Sequence, residues 1–525
     1  MVLGAALGGL LAIAPIPPAG ADEPVRGGTL VIGHNSLRHL NPAVQSGNAT
    51  GVPGTQIFAG LIQLDDKFNV LPYLAKSWEM SSDGLSYTFH LEENTTFHDG
   101  KPVTSADVAF SLGVVKNNHP FGVAMFAAVK EVETPDPHTV VIKLSDPHPA
   151  LLSALSPVLM PVLPKHVYDD GQDIKKHPAN SAPVGSGPFK FVEWKKGQHV
   201  ILERNENFFR PNRPYLDRII LKIYKDATTR RLALERGDIQ YAAFAGVRVA
   251  SIPKLKALAD LDVTIRGYGA LGPTNYLEFN HRKKPMSDVR FRKAIAHAID
   301  RDFIIQKLHA GVSTPLEGPF HHTSPWYSPD DLVNYDYDLD KAKRLLDEAG
   351  LKPDANGIRA SLTLDLPTFH PDSSKTVGEY LKPQLAKIGI AITLRNNPDF
   401  ATWSRRVSNW EYELSMNAIW NYPDPVIGVH RAYLCTNQKK GVIWSNTEGY
   451  CNKRVDEVLN KAAVATDFAT RKALYAEFQR IVTEELPFTW TNEEPYVTIY
   501  NKKVKNLPMS VWGAMQPMDE VYLAQ

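Results

Sequence analysis

At 525 residues, 43% hydrophobic and 22% charged, the chain has enough apolar surface for about two to four globular domains, which excludes a wholly disordered protein. Fifty-eight Lys and Arg against 57 Asp and Glu leave a formal charge of +1, so no global field favours nucleic acid or an anionic membrane as partner. Beyond residue 21 no run of 18 apolar residues occurs, which excludes an internal hydrophobic span.

The chain opens with an almost wholly apolar run, Val2 to Ile16, broken by Pro15, Pro17 and Pro18 and followed by Ala19-Gly20-Ala21 ahead of Asp22. This pattern predicts an export signal over residues 1–21, although no Lys or Arg precedes the apolar run. "TLVIGH" (29–34) and "SYTFHLEE" (86–93) read as strands, the second with Tyr87, Phe89 and Leu91 on one face. "TSADVAFSL" (104–112) opens like a capping box, with Asp107 three residues after Thr104. "FKFVEWKKGQHVILERN" (189–205) predicts a hairpin around Lys195-Lys196-Gly197-Gln198. Residues 218–244 read as strand, short helix stopped by Gly237, and strand.

From about residue 285 the helices lengthen. Residues 287–311 predict one helix with Ser287 as N-cap and Gly311 as stop, and 338–350 a shorter one ending on Gly350. Residues 374–394 read as helix, Gly389 stop and strand, with a kink expected at Pro383 unless it sits at a helix start. Helical runs at 453–464 and 469–485 precede a last strand, "YVTIYN" (496–501). Strands and helices alternate throughout, the grammar of mixed α/β domains, and at least two domains follow.

Few segments carry catalytic or metal-binding patterns. "GYGALG" (267–272) fits GxGxxG, yet Pro273 and the strand-like "TNYLEFN" follow where a dinucleotide site needs a helix N-terminus. No CxxC, HExxH or P-loop pattern occurs, so neither a closed metal site nor nucleotide hydrolysis is expected, and no cofactor is implied. His321-His322 read as solvent-facing imidazoles, with a metal or anion contact as the alternative. Cys435 and Cys451 would close one bridge in an oxidising compartment; two unpaired thiols remain the alternative. Aromatic residues gather in proline-broken segments, "PFHHTSPWYSP", "LPTFHP", "ATWSRRVSNWEYE" and "NAIWNYPDPVIG". Rings on rigid loops suit a partly apolar cleft, while ordinary core packing is the competing reading.

"LPYLAKSWEMSSDGLSYTFHLEENTTFHDGKPVTSADVAFSL" (71–112) resembles the signature region of the family 5 solute-binding proteins of ABC importers, which bind dipeptides, oligopeptides and nickel. "VGSGPFKFVEW" (184–194), "RNENFF" (204–209), "YLEFNHRKKPMSDVRFRKAIAHAIDR" (276–301), "YDLDKAKRLLDEAG" (337–350) and "YLKPQLAKIGI" (380–390) resemble its later landmarks in the same order. The resemblance implies an α/β, two-lobed periplasmic binding protein (type II, cluster C-like) with an additional inserted subdomain. It implies a discontinuous lobe I from 26–58, 184–270 and 492–525, an inserted subdomain over 59–183, and lobe II over 271–491. The function it implies is capture of a peptide or peptide-like solute in the periplasm, without catalysis, by a monomer that delivers it to ABC permease subunits at the inner membrane. Metal-chelate, haem, opine or sugar-conjugate binding within the family is the alternative, and an exported hydrolase a more distant one.

In peptide-binding members the loop resembling Asn421-Tyr-Pro-Asp-Pro425 begins with an Asp that pairs with the ligand's amino group. Here Asn421 stands in that place, which implies a receptor independent of a cationic N-terminus, unless Asp424 supplies the charge or Asn421 is a turn residue. Arg406 falls where a family arginine can lie near the ligand, Trp420 and Tyr422 are placed to wall the cleft, and Phe369 and His370 belong to a segment that often lines the pocket.

Overall fold

The computed structural model describes residues 23–525 except Ala245 and His370. The export signal expected over 1–21 and the candidate site residue His370 therefore lie outside the described residues. Among the described residues no helix is long and apolar enough to cross a membrane.

Two large sheets organise the molecule. The first has seven strands in the order Leu261–Thr264, Thr498–Asn501, Tyr241–Ala242, Thr29–His34, Arg218–Ile223, His199–Arg204, Phe189–Lys195. Thr29–His34 pairs in parallel with Arg218–Ile223, and the hairpin Phe189–Lys195/His199–Arg204 extends that edge antiparallel. The second sheet has five strands in the order Ile390–Asn396, Ala360–Leu366, Leu414–Trp420, Pro273–Phe279, Phe488–Glu493. An antiparallel four-stranded sheet, Ala75–Met80, Ser86–Leu91, Thr139–Leu144, Val129–Asp136, stands beside the first. The chain passes between the large sheets twice, after Leu261–Thr264 and after Phe488–Glu493. Those crossings touch where Glu494 N donates to Pro273 O at 3.0 Å. This is the two-lobed periplasmic binding protein fold.

Local chemistry accounts for the main elements. Ser86–Leu91 buries Tyr87, Phe89 and Leu91 and exposes the alternate residues more, as a half-buried strand requires. Helix Ser105–Asn118 starts where the Thr104 amide and hydroxyl both donate to Asp107 Oδ2, at 2.9 and 2.7 Å. Asp107 Oδ1 also accepts from Lys165 N at 2.8 Å, so one buried carboxylate both caps the helix and holds a distant turn. Gly237 ends helix Ala227–Arg236 in the left-handed region, at φ 77°.

The single helix expected over 287–311 is two. Asp288, not Ser287, caps helix Val289–Ala298, because its carboxylate reaches Arg290 N. Ile299 is extended, Asp300 caps a new turn at Arg301–Phe303, and the chain continues as the π-helix Ile304–Leu308. Apolar spacing runs through the break, so periodicity alone joins the two. Pro383 is carried inside helix Pro371–Ala386 rather than at its start.

The first sheet and the four-stranded sheet share one hydrophobic core, in which Leu30, Ile219, Phe89 and Ile142 all belong to a single cluster. The five-stranded sheet has a cluster on each side. One contains Leu364, Leu385 and Met416, and the other contains Trp490, Tyr475 and Leu459, under helices Lys453–Val464 and Phe468–Glu485.

Candidate ligand-binding cleft

A cavity of about 1210 Å³ opens where the parts of the molecule meet. The first lobe lends Arg38 and Phe244, the four-stranded part Phe121 and Leu159, the second lobe Trp420, Tyr422 and Trp444, and the crossings Leu271 and Tyr496. Its volume exceeds the roughly 300–1,000 Å³ usual for small-molecule sites, and its wall is mainly apolar, as such sites are.

On the second-lobe side four rings make a cage. Trp420 and Trp444 meet edge to face at 5.4 Å, Phe369 lies 6.0 Å from Trp420 and 6.3 Å from Trp444, and Phe400 lies 5.6 Å from Trp444. Across the cavity, Tyr422 of the second lobe meets Phe121 of the four-stranded part at 4.9 Å, and Phe244 of the first lobe meets Tyr496 of the crossing at 5.6 Å. Phe244, Tyr422 and Trp444 hold left-handed backbone at φ 57°, 56° and 56°. For a non-glycine residue that conformation costs about 1–3 kcal/mol, and it persists where surrounding structure imposes it. These three line the cavity, while Phe68 and Trp410, at φ 66° and 65°, hold the same conformation away from it.

The site residues expected from sequence divide into two groups. Phe369, Trp420 and Tyr422 are on the cavity wall. Asn421, Asp424 and Arg406 are not, and each has a structural partner instead. Asn421 is 2% exposed; its Oδ1 accepts from His321 N at 2.5 Å and its Nδ2 donates to Pro319 O at 3.0 Å. Asp424 caps the turn Pro425–Gly428 and pairs with Arg471 at 2.9 and 3.0 Å, buried on both sides. Arg406 donates to Asp365 at 3.2 Å and Asn397 at 3.0 Å. None of the three lines the cavity: along Trp420-Asn421-Tyr422 the rings reach the cavity wall while the amide bonds to the Pro319–His321 backbone.

Sequence reading missed Arg431. It lines the cavity, its Nε donates to Gly428 O at 2.9 Å, and its guanidinium carbon stands 4.8 Å from the Phe121 ring. A Cβ on Gly428 would lie 2.2 Å from Asn421 O and 2.4 Å from Trp420 O, so only glycine lets this turn approach the loop and present its carbonyl to Arg431. Arg431 Nη2 is buried with no hydrogen-bond partner, and so is Trp444 Nε1. Burial lowers the Arg431 pKa, and only the Tyr422 and Tyr276 phenols act against that. His430 beside it is held neutral, its pKa lowered to about 3, chiefly by burial. In the sequence, Arg431 has the look of an ordinary helix cation in "VHRAYL".

The loop that carries Trp444 is closed by a Cys435–Cys451 disulfide. His321 and His322 are not a pair of solvent-facing imidazoles: His321 is buried, and both rings engage Glu493 Oε2, at 3.1 and 2.6 Å. Among the described residues, these three make the one group whose donors converge closely enough for a metal ion, all within 4.8 Å. As they stand, the carboxylate ties the two rings to the end of strand Phe488–Glu493, beside the second crossing.

Residues 69–440 match the family model for bacterial extracellular solute-binding proteins, family 5. The chain belongs to that family, a family of binding proteins. A Brucella ovis protein named as a candidate ABC transporter peptide-binding protein is 32% identical over 496 residues, 92% of this chain and 89% of that protein. Among solved structures, the periplasmic binding protein DppA of Helicobacter pylori, in complex with the peptide STSA, is 26% identical with TM-score 0.80, covering 95% of this chain and 99% of the other. The binding protein AgaA of A. tumefaciens R10, in complex with agropinic acid, is also 26% identical, with TM-score 0.78 and coverage of 95% and 99%.

Proposed function

We propose that the protein is the solute-binding component of an ABC-type importer, capturing a peptide or peptide-like small solute in the periplasm and handing it to permease subunits in the membrane. The observation that carries this reading is the aromatic-walled cavity of about 1210 Å³ bounded by both lobes and touching both chain crossings. A ligand that contacts both lobes stabilises the closed arrangement over the open one, which is the signal a permease can read. The lobes divide as 26–58, 184–270 and 492–525 against 271–491, with 59–183 inserted in the first. The cavity's size and rings suit a molecule with its own carbon skeleton better than a bare ion, which needs a few converging ligand atoms. Phe369, Trp420 and Tyr422 contact the cargo, and binding involves no chemical change in it.

Mass spectrometry of small molecules released when the purified protein is denatured tests this. Stoichiometric recovery of an unmodified peptide-like solute is the expected result. Turnover of added peptides at a catalytic rate would overturn it.

A further inference from the structure

The cleft has an electrostatic asymmetry that the aromatic wall conceals. Its permanently charged lining residues are Arg38, Arg431 and Lys439; no Asp or Glu among the described residues lines it. The nearest acid in sequence, Asp424, is neutralised by Arg471. Buried guanidinium groups elsewhere in the second lobe have acceptors in place: Arg292 donates to three backbone carbonyls at 2.7–2.8 Å, and Arg471 has its carboxylate. Arg431 has one carbonyl on Nε, a ring against its face, and a buried Nη2 with nothing to donate to. Trp444 adds a second unpaired buried donor on the same wall. A desolvated charge without a partner is costly; Arg230 Nε is buried and unpaired as well, but Arg431 alone of the two lies on the cavity wall, where a ligand can supply the partner.

We propose that Arg431 receives an anionic group of the cargo, a carboxylate, and that the cleft therefore selects acidic or amine-blocked peptide-like solutes over cationic ones. This rests on the reading of the cleft as the cargo site. The fork of an arginine suits a carboxylate bidentately, and the cationic face already rests on Phe121, so the group is oriented before the ligand enters. A free ammonium gains nothing comparable here, because no lining carboxylate meets it and three cations oppose it. Arg38, on the opposite lobe, and Lys439 raise the local anion concentration and favour cargo of more than one negative charge.

Calorimetric titration of the full mature chain with three matched probes tests the assignment: N-acetyl-Phe-Tyr acid, N-acetyl-Phe-Tyr amide, and Phe-Tyr amide with a free N-terminus. The acid is expected to bind about tenfold to hundredfold more tightly than its amide, the range of one charge-assisted hydrogen bond, with the cationic probe weakest. In Arg431→Met and Arg431→Gln the acid should fall to within about twofold of the amide, while the amide itself changes little. The comparison of acid with amide in the unaltered protein needs no variant to fold. Equal binding of acid and amide overturns the anion anchor and leaves the receptor reading intact. An acid preference that survives both substitutions overturns the assignment to Arg431. Binding of no probe overturns the peptide-receptor reading and this inference together.

Discussion

Two arginines flank the same short turn and live in opposite circumstances. Arg471, from helix Phe468–Glu485, meets Asp424 at 2.9 Å, packs its guanidinium 4.6 Å from Trp326 and donates from Nε to Ala462 O. Arg431, seven residues after Asp424, has a ring and one carbonyl but no carboxylate. Burial lowers the pKa of each, yet for Arg471 the Asp424 carboxylate and the Tyr475 phenol together outweigh it and the pKa ends raised, while that of Arg431 ends lowered. The difference separates architecture from function. A buried cation with its own anion holds a lobe together, and one without an anion at a cavity wall is matched to something outside the chain.

The largest expected effect breaks the architectural half. Arg471→Met leaves Asp424 buried and unpaired, which costs about 3–5 kcal/mol, read as a lower urea midpoint at unchanged slope. Adding Asp424→Asn should restore most of the loss, because the amide still caps Pro425–Gly428 without carrying charge. A single variant as stable as the parent would show that the pair carries no weight in the fold.

The disulfide gives the next effect. Cys435 and Cys451 are 16 residues apart, a loop whose closure is worth about 3 kcal/mol on the chain-entropy account. That loop carries Trp444 and Lys439 on the cavity wall, so the Cys435→Ser/Cys451→Ser protein should lose both stability and probe affinity. Stability lost with affinity retained would detach the loop from the site.

How much of this was legible beforehand follows from the range of each interaction. The Thr104/Asp107 capping box, the hairpin after Phe189 and the glycine stops at Gly237 and Gly350 are local, and sequence spacing specifies them. The placing of Trp420, Tyr422 and Phe369 at a cleft came from the family resemblance, since proline-broken aromatic loops by themselves suit core packing as well. The partners were not. Asp424 finds Arg471 across 47 positions, Arg406 finds Asp365 across 41, and Arg38 and Phe121 reach the cavity only through tertiary packing. The break at Ile299 hid because apolar residues keep helical spacing through it. For Arg431, Gly428 three residues earlier is the one local signal, and it gains meaning only once the turn is seen pressed on the Trp420 and Asn421 carbonyls.

Asn421 sharpens the comparison at intermediate size, since it sits between the two arginines' worlds. Its amide donates to Pro319 O and accepts from His321 N, so both ends are needed and neither faces the cavity. Asn421→Asp turns a carboxylate oxygen toward a carbonyl oxygen and removes the donor, at a cost of about 1–3 kcal/mol. Thermal unfolding should shift down while the order of affinities among the acid, amide and cationic probes stays as it was. A variant that gains affinity for the cationic probe would return Asn421 to the ligand's reach.

The smallest effect is telling because it is small. Arg431→Met exchanges a desolvated, carboxylate-free cation for an apolar chain of similar length against Phe121, and the bond lost is one side-chain contact to Gly428 O. Removing an unpaired buried charge recovers desolvation cost, while losing that bond gives back about 1 kcal/mol, so stability should change by less than about 1 kcal/mol in either direction. Denaturant unfolding of the ligand-free protein measures it. A loss near that of Arg471→Met would mean that Arg431 has a structural partner after all and that its place on the wall is incidental. Near-neutral stability with lost acid binding is the combination that architecture alone does not produce, because a residue kept for the fold is missed when the fold is tested and one kept for cargo is missed only when cargo is present.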